Sequence, residues 1–546
     1  MSTGYNVCMD RTNPDTTLSD DDVRACVRVL RAIEADRSHL TRLTQEQRRE
    51  LLTLAGLVAK PERHDLVKMA KAFRRAEREA AKERDRKVIE QTGLRVQRRS
   101  ETYAPLWLEP PKPEDLSERP QLHQERSCYV CKKPFVKMHR YYDSMCDECG
   151  DFNYAKREQT ADLSGHYALV TGARVKIGFQ ASLKLLRAGA YVVVTTRFPV
   201  DAADRYSKEP DFTAFRNRLQ IHGLDLRHTP SVELFTRFLV ERLPRLDYIL
   251  NNACQTVRRP AGFFQHLLAR EAESIALLPP ALRGPLASHD ELRRSLEGAQ
   301  PAGAPAAAAQ IAAAARGAAI AHVAATAQRV TTAQGAATAH GGHGEGLLHS
   351  AALSQKRYLD EDFRDGEAIF PTNRYDEDRQ QIDLRDINSW RLRMHEVETP
   401  ELLEVQLVNA IAPYILNARL KPLMVGTPGA HKHIVNVSAM EGQFYRATKT
   451  DKHPHTNMAK AALNMMTRTS APDYVKDGVH MNAVDTGWVT DEDPAVHATR
   501  KAEEGFSPPL DIIDGAARIV DPIFVGRLTG TQVWGQFLKD STPAPW

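Results

Sequence analysis

The chain has 546 residues, 42% of them hydrophobic and 26% charged, and its 74 basic and 70 acidic side chains leave a formal charge of +4. That is ample material for a globular core, and the near balance of charge excludes the overall basicity of a protein that coats nucleic acid. No run of about 18 strongly apolar residues occurs, so membrane insertion is not expected, and the polar stretch Met1 to Asp22 lacks the apolar segment of a secretory signal.

Residues 1–20 are expected to form a disordered lead. From 21 to 103, Val23, Val27, Leu30 and Ile33, then Leu51, Leu54 and Leu57, recur at the spacing of helices with one apolar stripe. Residues 61–100 hold 13 basic and 7 acidic side chains, a local charge of +6. Such a run is ordinarily the solvated face of a long helix, and without interleaved aromatics it gives little support to a nucleic-acid partner. Pro105, Pro110, Pro111, Pro113 and Pro120 mark 104–122 as an extended linker.

Residues 123–155 read as a small zinc module. Cys128-x-x-Cys131 and Cys146-x-x-Cys149 are separated by 14 residues. Each turn places two sulfurs on one side, and two such turns close a tetrahedral Zn²⁺ site. Four cysteine ligands leave no open position, so the expected role is structural. A redox pair, or His139 replacing one thiolate, are the alternatives. Assigning four of the seven cysteines to one metal suits a reducing, cytoplasmic setting.

Tyr167–Val170 is a strand candidate, followed by Thr171-Gly-Ala-Arg-Val-Lys-Ile-Gly178, a helix over Phe179–Arg187, a stop at Gly189 and the β-prone Tyr191–Thr196. Strand, glycine-bearing turn, helix and strand within about 30 residues are the context in which free amides at a helix start hold a pyrophosphate. Arg197 then stands where an acid would serve the ribose of NAD; an arginine suits a 2′-phosphate, with Arg174 or Lys176 as helpers. A solvent-facing strand-end arginine is the plain alternative. This region, 160–270, is separated from a second informative block, 400–546, by an interruption. Its first part, 271–350, is expected to be a low-complexity insertion, because 20 of the residues 301–340 are alanine. Apolar and aromatic content returns in 351–399, notably over Gln380–Trp390, which is expected to be ordered.

Seven segments in order resemble the short-chain dehydrogenase/reductase (SDR) family. They are the Thr171–Gly178 turn, Leu224-Asp225-Leu226, Leu250-Asn-Asn-Ala-Cys254, Val408-Asn409-Ala-Ile-Ala-Pro413, Ile434-Val-Asn-Val-Ser438, Thr456-Asn-Met-Ala-Lys460 and Asn482-Ala-Val-Asp-Thr-Gly-Trp-Val-Thr490. The resemblance implies an α/β fold with a Rossmann-type doubly wound parallel sheet, preceded here by the helical region and the zinc module. It implies NADP(H) held by Thr171, Gly172, Arg174, Lys176, Ile177, Gly178, Arg197, Asp225, Leu226, Asn252, Ala253, Lys460 and Gly487. It further implies hydride transfer to a small-molecule carbonyl, or from an alcohol, with a homo-oligomer as one possible assembly. The catalytic pattern departs from the family. Asn409 and Lys460 match, but the tyrosine position is Thr456, and the usual serine position is Ala439, leaving Ser438 beside it. A threonine hydroxyl is a poor general acid. His455, adjoining the vacated position, is the preferred substitute over His453, and Tyr445 opens a second Tyr-x-x-x-Lys. Cys254, in place of a glycine, is read as a small filler ahead of a nucleophile. The competing reading is a catalytically inactive NADP(H)-binding sensor or scaffold.

Overall fold

A computed structural model describes residues 18–99, 120–298, 344–364, 366–429, 431–445 and 449–546. The expected lead up to residue 17, most of the proline-rich linker and the alanine-rich tract lie outside the described residues. The chain divides into two compact units, Met1–Glu83 and Arg84–Trp546.

In the first unit, α1 (Asp20–Ala35) starts on a capping box of Ser19 and Asp22, and α2 (Gln45–Ala59) on one of Thr44 and Gln47. Neither helix buries a residue, so capping rather than a core defines their ends. Helix α3 (Arg63–Glu90) begins here and runs into the second unit.

The second unit opens on the end of α3 and on α4 (Gly93–Arg98), followed by the antiparallel pair β1 (Gln121–Ser127) and β2 (Pro134–Lys137) and by α5 (Asp147–Glu158). Asp85 accepts the amides of His123 and Gln124. Leu94, Met138, Tyr141, Tyr142, Met145 and Tyr154 make a core of their own. The last turns of the expected basic helical region are thus a packed part of the cysteine module.

The remainder is a doubly wound sheet. Strands β3 (Tyr167–Thr171), β4 (Tyr191–Thr196), β5 (Leu219–Gly223), β6 (Tyr248–Asn251), β7 (Lys432–Ser438), β8 (Val479–Asp485) and β9 (Phe537–Lys539) are parallel, and β10 (Thr542–Ala544) pairs antiparallel with β9. Their order is β10-β9-β8-β7-β6-β3-β4-β5. Strand direction of travel reverses between β3 and β6, which opens a crevice at their carboxyl ends. Alternate residues serve opposite faces. Val170, Val194 and Leu250 pack on α6 (Lys176–Arg187), while Leu169, Val193 and Ile249 pack on α8 (Thr229–Arg242), α7 being Pro199–Ser207. Both faces are therefore apolar, as a parallel sheet covered on both sides requires.

The flanks of the insertion differ from expectation. Residues 271–298, read as low-complexity, contain α10 (Pro280–Gly298), which follows α9 (Ala261–Glu271) and packs on β5. Its Leu282 and Leu286 enter one core and Leu292 the other. Leucines at four- and six-residue steps carry this packing, and the alanine bias of the following tract obscures them. Beyond the tract, Leu347 joins the second core and the Gly346 amide donates to Ser231. Residues 351–399 form short 3-10 turns pinned by Arg258, whose guanidinium grips Asp362 bidentately at 2.5 and 2.7 Å. Helices α11 (Thr399–Gln406) and α12 (Ala412–Val425) follow, joined by a π turn at Leu407–Ile411, then α13 (Pro454–Tyr474) and, after a short helix, α14 (Ile512–Thr529). No helix among the described residues is long and apolar enough to cross a membrane.

Candidate functional site

A cleft of about 1610 Å³ lies over the carboxyl ends of the strands. Its floor is the turn from β3 to α6. Gly172 has φ +66, and a Cβ there would press on Ala253. A Cβ on Gly178 would run into the Asn252 amide and the Gly172 carbonyl. Asn252 donates to the Thr171 and Gly172 carbonyls at 3.0 and 3.2 Å, and the buried Thr171 hydroxyl accepts the Ala253 amide at 3.0 Å. Lys176 keeps the left-handed backbone (φ +54) of the glycine it replaces. Burial opposes the charge of its ammonium, but Glu492, Asp378 and Asp376 outweigh burial and hold its pKa above the ordinary value. Gly172, Ile177, Gly178, Leu226, Asn252, Ala253 and Gly487 all line the cleft.

Three arginines gather at the ends of β4 and β5. Arg174 is engaged by Asp201 at 2.7 Å, and Arg227 by Asp225 at 2.6 Å and Glu404 at 2.9 Å. Arg197 makes no ion pair among the described residues; its guanidinium lies 4.5 Å over the Phe264 ring. Burial and then the neighbouring Arg227 pull its pKa down to about 10. An anion placed here would relieve both. The Asp225 carboxylate, expected among the cofactor-binding residues, lines the same cleft and is paired with Arg227, which folds back on it from two residues away.

At the other end, Asn409 sits in the π turn, accepting the Gln255 amide at 2.7 Å and donating to the Gln255 carbonyl at 3.1 Å. Ser438 donates to Asn464 at 2.6 Å, and Lys460 to the Val437 carbonyl at 2.7 Å. Thr456 lines the cleft, and its buried hydroxyl has no hydrogen-bond partner among the described residues. Three expectations need correction. His455 does not line the cleft; it turns away, with Nε2 3.3 Å from Glu401. The imidazole on the cleft wall is His453, the N-cap of α13, stacked on Trp390 at 3.9 Å. Each helical residue turns the side chain by about 100°, so Thr456 and Lys460 share a face that His455 leaves. Tyr445 is exposed and outside the cleft lining. Cys254 is exposed at the cleft edge rather than buried as a filler.

Asp485, at the end of β8 and in register with Ser438, was not apparent from the sequence as a cleft residue. One carboxylate oxygen accepts the Gly487 amide at 3.0 Å; the other is buried without a partner among the described residues. Burial raises its pKa from 3.8 to about 6. A folded-state pKa above the unfolded one means that stability is fully present below about pH 4 and is lost as pH rises through about 6. At about 1.4 kcal/mol per unit the loss approaches about 3 kcal/mol. Asp485→Asn is thus expected to raise the unfolding midpoint at pH 8 and to leave it unchanged at pH 3.5. An equal shift at both pH values in urea titrations would refute this.

The four sulfurs of Cys128, Cys131, Cys146 and Cys149 lie within 4.8 Å of one another, with Cys131 and Cys146 3.8 Å apart. Thiolates placed tetrahedrally about 2.3 Å from zinc would be separated by about 3.8 Å. Burial opposes ionisation of Cys128, but the amides of Cys146, Cys131 and Val130 prevail and bring it to about 7; burial pushes Cys149 up. His139 is not part of the cluster: its Nδ1 accepts the Tyr141 and Tyr142 amides, and Nε2 meets Asp151 at 3.2 Å.

Residues 166–275 match the family model described as short chain dehydrogenase, and residues 388–506 the one described as Enoyl-(Acyl carrier protein) reductase. In both segments the chain resembles the short-chain dehydrogenase/reductase family. Uncharacterized protein R665 of Acanthamoeba polyphaga mimivirus is 27% identical over 427 residues, covering 76% of this chain and 74% of that protein. (-)-Isopiperitenone reductase of Mentha piperita is 36% identical over 90 residues and retinol dehydrogenase 11 of Homo sapiens 29% over 112, matches that span 28% and 35% of those proteins and 16% and 20% of this chain. Among solved structures, a dehydrogenase/reductase from Sinorhizobium meliloti 1021 is similar at 16% identity with a TM-score of 0.39, covering 71% of this chain and 96% of that one. Gln380, Gln381, Asp383 and Arg385 from the stretch between the two matched segments, with Trp390 at the start of the second, form one wall of the cleft.

Proposed function

We propose that the protein is an NADP(H)-dependent SDR oxidoreductase that interconverts a small-molecule carbonyl and alcohol. The observation that carries this reading is Arg197, a half-buried guanidinium with no carboxylate partner in the same cleft as the Gly172–Gly178 turn. The amides at the start of α6 would hold the pyrophosphate and Arg197 the 2′-phosphate. NADP(H), when bound, supplies or accepts the hydride.

The chain's own residues do the rest. Lys460, on α13, lines the cleft with its ammonium on the Val437 carbonyl, from which it can hold a ribose hydroxyl, and Ser438 and Thr456 line the same cleft. The family's phenol is missing, so the proton on the substrate oxygen is assigned to a titratable wall group. Asp485 can carry it on its unpartnered oxygen, and His453, held below its ordinary pKa by burial, is the second such group. Trp390 and the 380–385 segment help exclude water. The cysteine cluster fits a structural Zn²⁺: four soft donors at tetrahedral spacing, with no hydrolytic opening. Reduced thiols of this kind suit a cytoplasmic setting.

The test is NADPH oxidation against a panel of aldehydes and ketones. Turnover with at least one carbonyl is expected, and Lys460→Ala should lower kcat at least about 100-fold. The threonine at position 456 favours a second reading, an NADP(H)-binding sensor. NADPH binding without turnover across the panel would establish that reading in place of the first.

A further inference from the structure

The knuckle that contributes two of the four thiols also sends a side chain into the nucleotide cleft. Tyr129, between Cys128 and Cys131, lines the cleft. Its hydroxyl accepts the Trp488 amide at 3.0 Å, and a Cβ on Gly487 would approach the same oxygen to 3.2 Å. Gly487 has φ +76, and its own amide donates to Asp485. The turn that leaves β8 for the cleft is therefore held from below by Asp485 and from the side by Tyr129.

The knuckle is fixed in turn. The Tyr129 amide donates to the Ser144 carbonyl at 2.7 Å, and the Cys146 amide to the Cys128 sulfur at 3.4 Å. Lys132, with φ +63, returns its ammonium to the Tyr129 carbonyl at 2.5 Å. Four sulfurs gathered within 4.8 Å repel once ionised, and a dication removes that repulsion. A metal held by the four sulfurs would thus fix the knuckle, and with it Tyr129 and the turn at Gly487 and Trp488 that its hydroxyl touches.

We propose that Tyr129 is a positioning residue of the nucleotide cleft, through which the four-cysteine metal centre controls the affinity for the dinucleotide. The inference rests on the reading that this cleft binds NADP(H).

The experiment uses the full-length, zinc-loaded protein. Hydrogen exchange is followed in the peptide spanning residues 484–490, and NADPH affinity is followed by fluorescence titration. Both are measured for the unmodified chain, for Tyr129→Phe and after treatment with a chelator. Tyr129→Phe is expected to speed exchange of the Trp488 amide and to weaken NADPH roughly five- to tenfold, the value of one lost hydrogen bond. Zinc content and unfolding midpoint should be unchanged. Chelation of the unmodified chain should produce the same exchange signature and the same loss of affinity, and should add nothing further in Tyr129→Phe; additive losses would overturn control through Tyr129. Unchanged Trp488 exchange or unchanged NADPH affinity in Tyr129→Phe overturns the proposal. Should chelation unfold the chain, Tyr129→Phe with its zinc intact still decides. If the unmodified protein fails to bind NADPH, the reading of the cleft falls, and this inference with it.

Discussion

Arg197→Glu is expected to weaken NADPH binding by about two orders of magnitude and to leave NADH binding no weaker. A charge-assisted hydrogen bond to a phosphate is worth about 1.5–3 kcal/mol, and each 1.4 kcal/mol is about tenfold in affinity. Reversing the charge adds repulsion to that loss. The effect should be specific because Arg174 and Arg227 are committed to Asp201 and to Asp225 with Glu404, so neither can move over to replace it without abandoning a carboxylate. The substituted carboxylate would itself face Arg227, which protects the fold at this position. Arg197→Lys keeps the charge but loses the planar fork that stacks on Phe264, and should fall between the two. Isothermal titration with NADPH and NADH separates the outcomes. Equal loss for both nucleotides would place Arg197 outside the 2′-phosphate contact.

The second large effect belongs to the cysteines. Cys131→Ser and Cys146→Ser are each expected to lower zinc from one ion per chain to near zero and to destabilise the unit by several kcal/mol, since binding energy at a structural zinc is folding energy. The damage should spread beyond the module. Arg157, on α5, is 1% exposed and reaches Asp511 at 2.6 Å and Asp514 at 3.4 Å at the start of α14. The Tyr141 and Tyr142 hydroxyls donate to the same two carboxylates at 2.8 and 2.5 Å. Opening the module would strand that buried charge, which costs more than an exposed ion pair. Metal analysis with thermal unfolding of both variants checks this. Retained zinc in either variant, or a midpoint equal to that of the unmodified chain, would count against a metal held by all four sulfurs.

How much was legible in the sequence depends on how local the constraint is. The Thr171–Gly178 turn could be read because a tight approach to Ala253 and Asn252 demands glycine at 172 and 178, and that demand is written in the residues themselves. Lys176 shows where such reading stops: the left-handed backbone persists under a side chain, so the missing glycine did not mean a different turn. The two Cys-x-x-Cys pairs were legible because their spacing alone brings the sulfurs to one side. The core leucines of α10 were hidden by the adjoining alanine bias, although their helical spacing was present.

The sequence by itself thus determined the order of strands and motifs, the glycine-dependent turn, the arginine after β4 and the cluster of four thiols, all of them legible from residue types at short spacing. The tertiary structure alone decided which side chains meet across long separations. It turned His455 toward Glu401 and His453 toward Trp390, joined Arg227 to Glu404, left one oxygen of Asp485 without a partner among the described residues at the cleft, and brought Tyr129 to an amide 359 residues away. Those choices depend on how helices and loops pack, where one residue of helical rotation or one buried partner reverses the role of a side chain, and no local spacing in the chain encodes them.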